Sequence, residues 1–93
     1  MPWSSVELAE ARELIRGLLE ALELDAYLFE VEPRNDGWEL RLECAADEGW
    51  QSFRLPLESS RIIDARENEA ARERLLRVVG ATLGDCKRRR SRG

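Results

Sequence analysis

The sequence predicts an α+β domain with the order helix, three antiparallel strands, helix (αβββα). Apolar residues recur every three or four positions near both ends of the chain, and they alternate with charged residues in between. Two short segments rich in Asp, Asn and Gly separate the alternating stretches, as expected for turns. We therefore expect a three-stranded meander with both helices on one face, built around the single core that 93 residues allow.

The first helix is predicted to run from Ser5 to Glu23. Ser4 and Glu7 form the S-x-x-E pattern of a capping box, in which each side chain binds the backbone amide of the other. Beyond it, apolar side chains recur at helical spacing and define the buried stripe: Leu8, Ala11, Leu14, Ile15, Leu18, Leu19 and Leu22.

Three strands are predicted to begin at Tyr27, Trp38 and Trp50, and the last ends near Leu57. We expect a tight first turn with positive φ angles at Asn-Asp or Asp-Gly in residues 33–37. Pro56 lacks an amide, so the third strand ends there or lies at a sheet edge. The face away from the helices should carry Leu28, Glu30, Glu32, Glu39, Arg41, Glu43, Trp50, Ser52 and Arg54.

One final helix is expected, with Ser59, Ser60 or Asp64 as its cap and Gly84 at its end. The chain should fray from Asp85 onward. This predicts one domain over residues 1–86 and a basic, disordered tail over residues 87–93. The core should include Leu18, Leu22, Phe53, Leu55, Leu75 and Val79.

Two cysteines occur without CxxC spacing, so the sequence suggests neither a disulfide framework nor a zinc site. We expect Cys44 to face inward as a small apolar residue and Cys86 to lie exposed near the fraying end. A reducing compartment, and hence a cytoplasmic location, fits this expectation. The N-terminus lacks the pattern of a signal peptide, and no apolar run is long enough to cross a membrane.

The chain contains no histidine, which removes the commonest general base, the commonest metal ligand and every Ser-His or Cys-His arrangement. Glu30 and Glu43 on the open sheet face are the best remaining acid–base pair, but an exposed sheet offers no desolvation to perturb them. We therefore expect a protein that is not an enzyme, with no catalytic, metal-binding or cofactor-binding residues.

The order of elements resembles that of the double-stranded RNA-binding domain. That family contacts phosphates with a Gly-Pro-x-His loop and a lysine cluster that opens the last helix. Here the loop reads Pro-Arg-Asn-Asp-Gly and the last helix opens with Asp64-Ala65-Arg66-Glu67, so the family's function is not implied. The leucine-rich first helix followed by a meander also resembles small acidic secretion chaperones, and that resemblance implies a dimer.

Trp50 is the residue best suited to recognition of another protein. A large indole on the open face near Leu28, within charged surroundings, is typical of an interface anchor with a polar rim; the alternative is a Trp folded over the sheet edge. The expected interface is Leu28, Glu30, Arg41, Trp50 and Arg54. The predicted function is a non-catalytic, acidic protein-interaction module, adaptor-like or chaperone-like. Its expected partner is another protein, a second copy of itself in a homodimer, or both.

The C-terminal residues suggest a second hypothesis. Residues 1–86 hold ten arginines against nineteen carboxylates, a net charge of −9, whereas the tail adds five positive charges. The basic residues are Lys87, Arg88, Arg89, Arg90 and Arg92, and such a cluster binds phosphates by releasing counterions. The alternative function is therefore that of a nucleic-acid-associated accessory protein, although cations after a helix also stabilise its C-terminus and the acidic body repels nucleic acid.

Overall fold

A computed structural model describes residues 4–89 and confirms the α+β class and the antiparallel meander. One helix precedes the sheet and two follow it. The elements are α1 (Ser5–Leu22), β1 (Tyr27–Arg34), β2 (Gly37–Ala46), β3 (Gly49–Glu58), α2 (Ser59–Glu67) and α3 (Glu69–Thr82).

The start of α1 is fixed by the predicted capping box. The Ser4 hydroxyl accepts a hydrogen bond from the Glu7 amide at 3.1 Å, and the Glu7 carboxylate accepts one from the Ser4 amide at 2.9 Å. These two bonds satisfy backbone donors that have no partner within the helix. At the other end Glu23 adopts a left-handed conformation with φ 58° and turns the chain towards the sheet.

The sheet has the order β1-β2-β3, so β3 lies at an edge as Pro56 indicated. Both hairpins have two-residue loops, and Gly49 closes the second with a φ of 110°. The expectation of positive φ angles in the first turn is wrong, because within residues 4–89 only Glu23 and Gly49 have them. Gly37 serves a different purpose there: a Cβ at this position would lie 2.3 Å from the carbonyl oxygen of Leu57.

One face of the sheet joins the helices in a single hydrophobic core. Its central strand buries Trp38, Leu40, Leu42 and Cys44, whereas alternate side chains of the same strand are exposed or half-buried. Of the predicted core residues, four are buried: Leu18, Leu22, Leu75 and Val79. Phe53 and Leu55 are only partly buried, which corrects their prediction. They belong to the edge strand β3, which has no strand beyond it to complete their cover.

The C-terminal half of the helical layer differs from the prediction of one helix. Asn68 interrupts the helix with an extended conformation (φ −143°, ψ 120°) and caps α3, its side chain accepting a hydrogen bond from the Ala71 amide at 3.1 Å. None of the three predicted caps is used, since α2 begins after Glu58 without a side-chain cap. Asn competes well for backbone amides, which is why it favours a helix start over a helix interior.

Cys44 and Cys86 form a disulfide, which contradicts the expectation that they are unrelated thiols. Both residues are buried, and Cys86 belongs to the core rather than to a frayed end. The cysteines therefore no longer support a reducing compartment, because disulfides persist mainly in oxidising environments. The bond joins β2 to the segment that follows α3.

The segment after α3 is also held by backbone hydrogen bonds. The Lys87 amide donates to the carbonyl of Ala45 at 2.8 Å, and its carbonyl accepts from the Asp25 amide at 2.8 Å. The Arg89 amide donates to Glu23 at 2.7 Å. The expectation that the chain frays from Asp85 onward is therefore wrong for residues 86–89, and residues 90–93 of the predicted tail lie outside the described part of the chain.

The core assignment predicts the effect of shortening a buried leucine. Leu18→Ala or Leu75→Ala should lower the free energy of unfolding by about 2 to 5 kcal/mol, because each change leaves a cavity in a packed core. Ile63→Ala is the matched control, since that isoleucine is 48% exposed and should lose about 1 kcal/mol or less. Urea unfolding measures all three. Losses below about 1 kcal/mol at both core positions contradict the helix faces.

The disulfide predicts a stability that depends on reductant. It closes a loop with a sequence separation of 42, so reduction should lower the free energy of unfolding by about 2 to 4 kcal/mol. Thermal melts with and without dithiothreitol test this. A Cys44→Ala, Cys86→Ala double variant is the control, and its melting temperature should be the same in both conditions. Equal stability of the unmodified protein with and without reductant contradicts the pairing.

Candidate interaction surface

The face of the sheet turned away from the core is here called the open face. Strand register places its residues in rows across the three strands, so that their neighbours are known. One row is Leu28, Glu43 and Ser52; the next is Glu30, Arg41 and Arg54; beyond these lie Ala45 with Trp50 at one end and Glu32 with Glu39 at the other. All five residues of the predicted interface lie on this face and are exposed.

The end of the open face near the first turn is a network of ion pairs. Arg34 binds Glu39, and it also approaches Glu32 at 3.4 Å. Arg41 binds the other oxygen of Glu32 at 2.9 Å. The hydrogen bond to Glu32 and the charge of that carboxylate raise the pKa of Arg41 above the usual guanidinium value. The charged side chains at this end of the open face are therefore already paired with one another within the sheet.

The end near the second turn is apolar. Trp50 is 59% exposed and Leu28 is 66% exposed, which are high fractions for such large side chains. The two lie on opposite edge strands, and Ala45 of β2 is the direct neighbour of Trp50 and a diagonal neighbour of Leu28. The strip Leu28, Ala45 and Trp50 thus crosses the sheet diagonally, and it is bordered by charged residues.

The middle of the open face is a shallow concavity of about 540 Å³. Glu30 lies opposite Arg41, and Arg41 in turn lies opposite Arg54. Glu43 lies at hydrogen-bond distance, 3.5 Å, from the Ser52 hydroxyl. Both carboxylates considered for acid–base chemistry, Glu30 and Glu43, belong to exposed residues. Neither carboxylate is buried as the acid–base groups of active sites often are.

Three of the predicted nucleic-acid-binding residues, Lys87, Arg88 and Arg89, lie at the apolar end of the sheet. Residues 87–89 are exposed, and their backbone is bound to residues 23–25 and to Ala45. Arg89 shares a surface groove with Glu20, Glu23 and Asp25, so the cations are next to the acidic body. Arg90 and Arg92 lie outside the described residues.

Sequence reasoning missed the role of this C-terminal segment as a short extra ladder beside the sheet. Bridges join Leu24 to Arg88 and Ala46 to Cys86. The only signal in the sequence was the even number of cysteines, which permits a pair but does not place the two residues together. Strands are predicted from the alternation of apolar and polar side chains, and a pairing of so few residues is too short to show that alternation.

Comparison with protein-family models, curated proteins and solved structures gives no match for this chain. Among residues 4–89, none of the helices combines the length and the apolar character that crossing a membrane requires. The same residues contain no group of three or more His, Cys, Asp or Glu arranged to hold a metal ion.

The setting of the basic residues predicts weak binding to nucleic acids at physiological salt. Residues 87–93 carry five positive charges and residues 1–86 a net charge of −9, so the cations should bind only through phosphate contacts, which weaken steeply as salt rises. Titration with labelled duplex and single-stranded RNA and DNA, at low and at physiological salt, measures this.

The matched control for that titration is a Lys87→Gln, Arg88→Gln, Arg89→Gln variant, which keeps the backbone hydrogen bonds of the segment. A second control ends after Arg89. Submicromolar binding at physiological salt that either control loses would contradict our expectation and favour the nucleic-acid function.

Proposed function

We propose that this protein is a non-catalytic protein-interaction module that associates with itself through the open face and the adjoining edge of its sheet. The observation that carries the proposal is the exposure of Trp50, which is 59% exposed, whereas Trp38 of the same sheet is buried. Tryptophan is enriched among the residues that supply most of the energy of protein interfaces.

The surroundings of Trp50 support the proposal. The apolar strip of Leu28, Ala45 and Trp50 is bordered by charged residues, which is the arrangement of an interface with an apolar centre and a polar rim. The ion pairs of Arg34 and Arg41 fix the charges at the far end of the face and leave the apolar end free to make contacts. A second copy that covers Trp50 would remove a large apolar side chain from water, and this favours association.

The nucleic-acid function is the weaker alternative. Residues 87–89 are bound by their backbone to the acidic body, and Arg89 lies in a groove with three carboxylate residues. A phosphate chain approaching these cations meets the repulsion of those carboxylates at distances shorter than a Debye length of about 8 to 10 Å. This opposes binding at the place where the predicted contact would form.

Sedimentation tests the proposed self-association. The protein should be a dimer at high micromolar concentration, and Trp50→Ala should shift it towards the monomer by raising the dissociation constant about tenfold or more. The matched control is Ile63→Ala, which removes an apolar side chain of α2 that is also exposed, at 48%, but lies outside the sheet. This control should leave the dissociation constant unchanged. A strictly monomeric protein that Trp50→Ala does not change would contradict both the dimer and the anchor role.

A further inference from the structure

We infer that two copies of the chain join through the free edges of their β3 strands, as antiparallel neighbours related by a two-fold axis at Ser52. The inference rests on the proposed self-association and adds the edge, the register and the contact that form. In this register Trp50 of each copy lies opposite Arg54 of the other. The two three-stranded sheets become one continuous sheet of six strands.

The direction of the backbone groups leaves the outer edge of β3 available. The Ser59 amide donates to the carbonyl of Asp36 at 3.3 Å, just beyond the paired ends of the two strands. Odd-numbered residues of β3 therefore direct their backbone N–H and C=O groups towards β2. Because the direction alternates along a strand, Trp50, Ser52 and Arg54 direct their N–H and C=O groups outward.

A second hydrogen bond gives the same assignment. The Ala45 amide donates to the carbonyl of Ala26 at 3.0 Å, on the β1 side of β2. The backbone N–H and C=O groups of the even-numbered residues of β2 are therefore directed towards β3. Their partners in β3 are the odd-numbered residues from Gly49 to Leu57. Within residues 4–89, no strand pairs with the outer edge of β3.

Among residues 4–89, the edge from Trp50 to Arg54 is left largely uncovered. Residues 50, 51, 52 and 54 are exposed, and Phe53 is only half-buried. An exposed edge of five residues is long enough to pair with a second strand, and proteins normally blunt such an edge or use it. Here the edge is blunted only at Pro56, which has no amide to donate.

The position of Pro56 and the charges select the register. A two-fold axis at Ser52 pairs residues 50 with 54 and uses all three outward amides, while Pro56 stays outside the ladder. An axis at Arg54 would place two guanidinium groups directly opposite each other and would bring Pro56 into the ladder. An axis at Trp50 would need Glu48, which belongs to the turn, as the partner of Ser52. An axis at Gln51 would oppose Arg54 to Glu48 of the turn, and an axis at Phe53 would oppose Trp50 to Pro56. Only the axis at Ser52 keeps all three outward amides in the ladder without Pro56 or a residue of the turn.

The chemistry of the paired residues is complementary. Arg54 forms no ion pair within the described residues, and its neighbour on β2 is another cation, Arg41. The neighbour of Trp50 on β2 is the small Ala45, so the face of the indole is not covered from that side. A guanidinium over an indole gains a cation–π interaction, and the two-fold axis makes this contact twice. Each residue thus finds on the second copy a partner that its own sheet does not provide.

The other edge of the sheet is less suited to pairing. In β1 the outward backbone groups belong to the odd-numbered residues Tyr27 to Pro33, and Pro33 has no amide. Helix α1 also contacts this strand. These features leave β3 as the edge on which a second copy fits.

The test is a cross-link at the proposed axis. Ser52→Cys in the full chain, with oxidised glutathione as the oxidant, should give a covalent dimer joined at residue 52, as mapped by peptide mass spectrometry. Residues opposite each other in a hydrogen-bonded antiparallel pair have Cα atoms about 5.5 Å apart, which a disulfide spans. Glu43→Cys is the matched control: it lies beside Ser52 on the same face, but the two copies of residue 43 would be about 14 Å apart across the edge-paired strands.

The outcomes separate the register from the self-association itself. A dimer that cross-links at residue 52 and not at residue 43 supports the inference. A dimer that fails to cross-link at residue 52, or that cross-links at residue 43 because the open faces stack, overturns the edge register and leaves the proposed self-association standing. A protein that stays monomeric at high micromolar concentration overturns both.

Hydrogen exchange provides a second test on the unmodified protein. The amides of Trp50, Ser52 and Arg54 should exchange at least about tenfold more slowly as the concentration rises into the dimer range, because they become ladder donors. The Glu58 amide also points outward but lies beyond Pro56, so its exchange should not change with concentration. Unchanged exchange at all three residues in a protein that sedimentation shows to be a dimer overturns the inference.

Discussion

The burial of one face of the central strand determines how the rest of the structure is arranged. Trp38, Leu40, Leu42 and Cys44 enter the same core as the leucines of α1, and every other residue of β2 must then point the opposite way. Because side chains alternate with a period of two, a slip by one residue would exchange the two faces of the sheet. Which residues form the open face therefore follows directly from which residues are packed in the core.

The disulfide connects this core to the end of the chain. Cys44 lies on the buried face of β2, and Cys86 follows α3, so one covalent bond joins the sheet to the segment after the last helix. The hydrogen bonds of Lys87 and Arg89 extend that attachment towards residues 23–25. Three distant parts of the sequence meet at the end of the sheet that also carries the apolar strip. Reduction would therefore affect the segment beside the proposed interface as well as the stability of the domain.

The open face combines two kinds of surface that have different physical consequences. Charges at one end are neutralised by partners on the same sheet, as for Arg34 and Arg41, and exposed pairs of this kind add little stability. At the other end Leu28 and Trp50 have no apolar neighbour large enough to cover them. A second copy at the β3 edge would cover Trp50, whereas Leu28 lies on the opposite edge strand, β1. A partner would therefore gain more at the apolar end than at the ion-paired end.

Local pattern was sufficient to determine the first helix, the three strands and the two faces of the sheet, but not the break at Asn68 between α2 and α3. The capping box at Ser4 and Glu7, the leucine stripe of α1 and the alternation of the strands depend on residues close together in sequence, so they could be predicted, and so could the exposure of Trp50. Only the tertiary structure placed Cys44 beside Cys86 and Lys87 beside Ala45, because those contacts join residues that are far apart in the sequence and follow no repeating spacing. The partial exposure of Phe53 was decided in the same way, since the alternation assigns it to the buried face but only the order of strands leaves it at an edge.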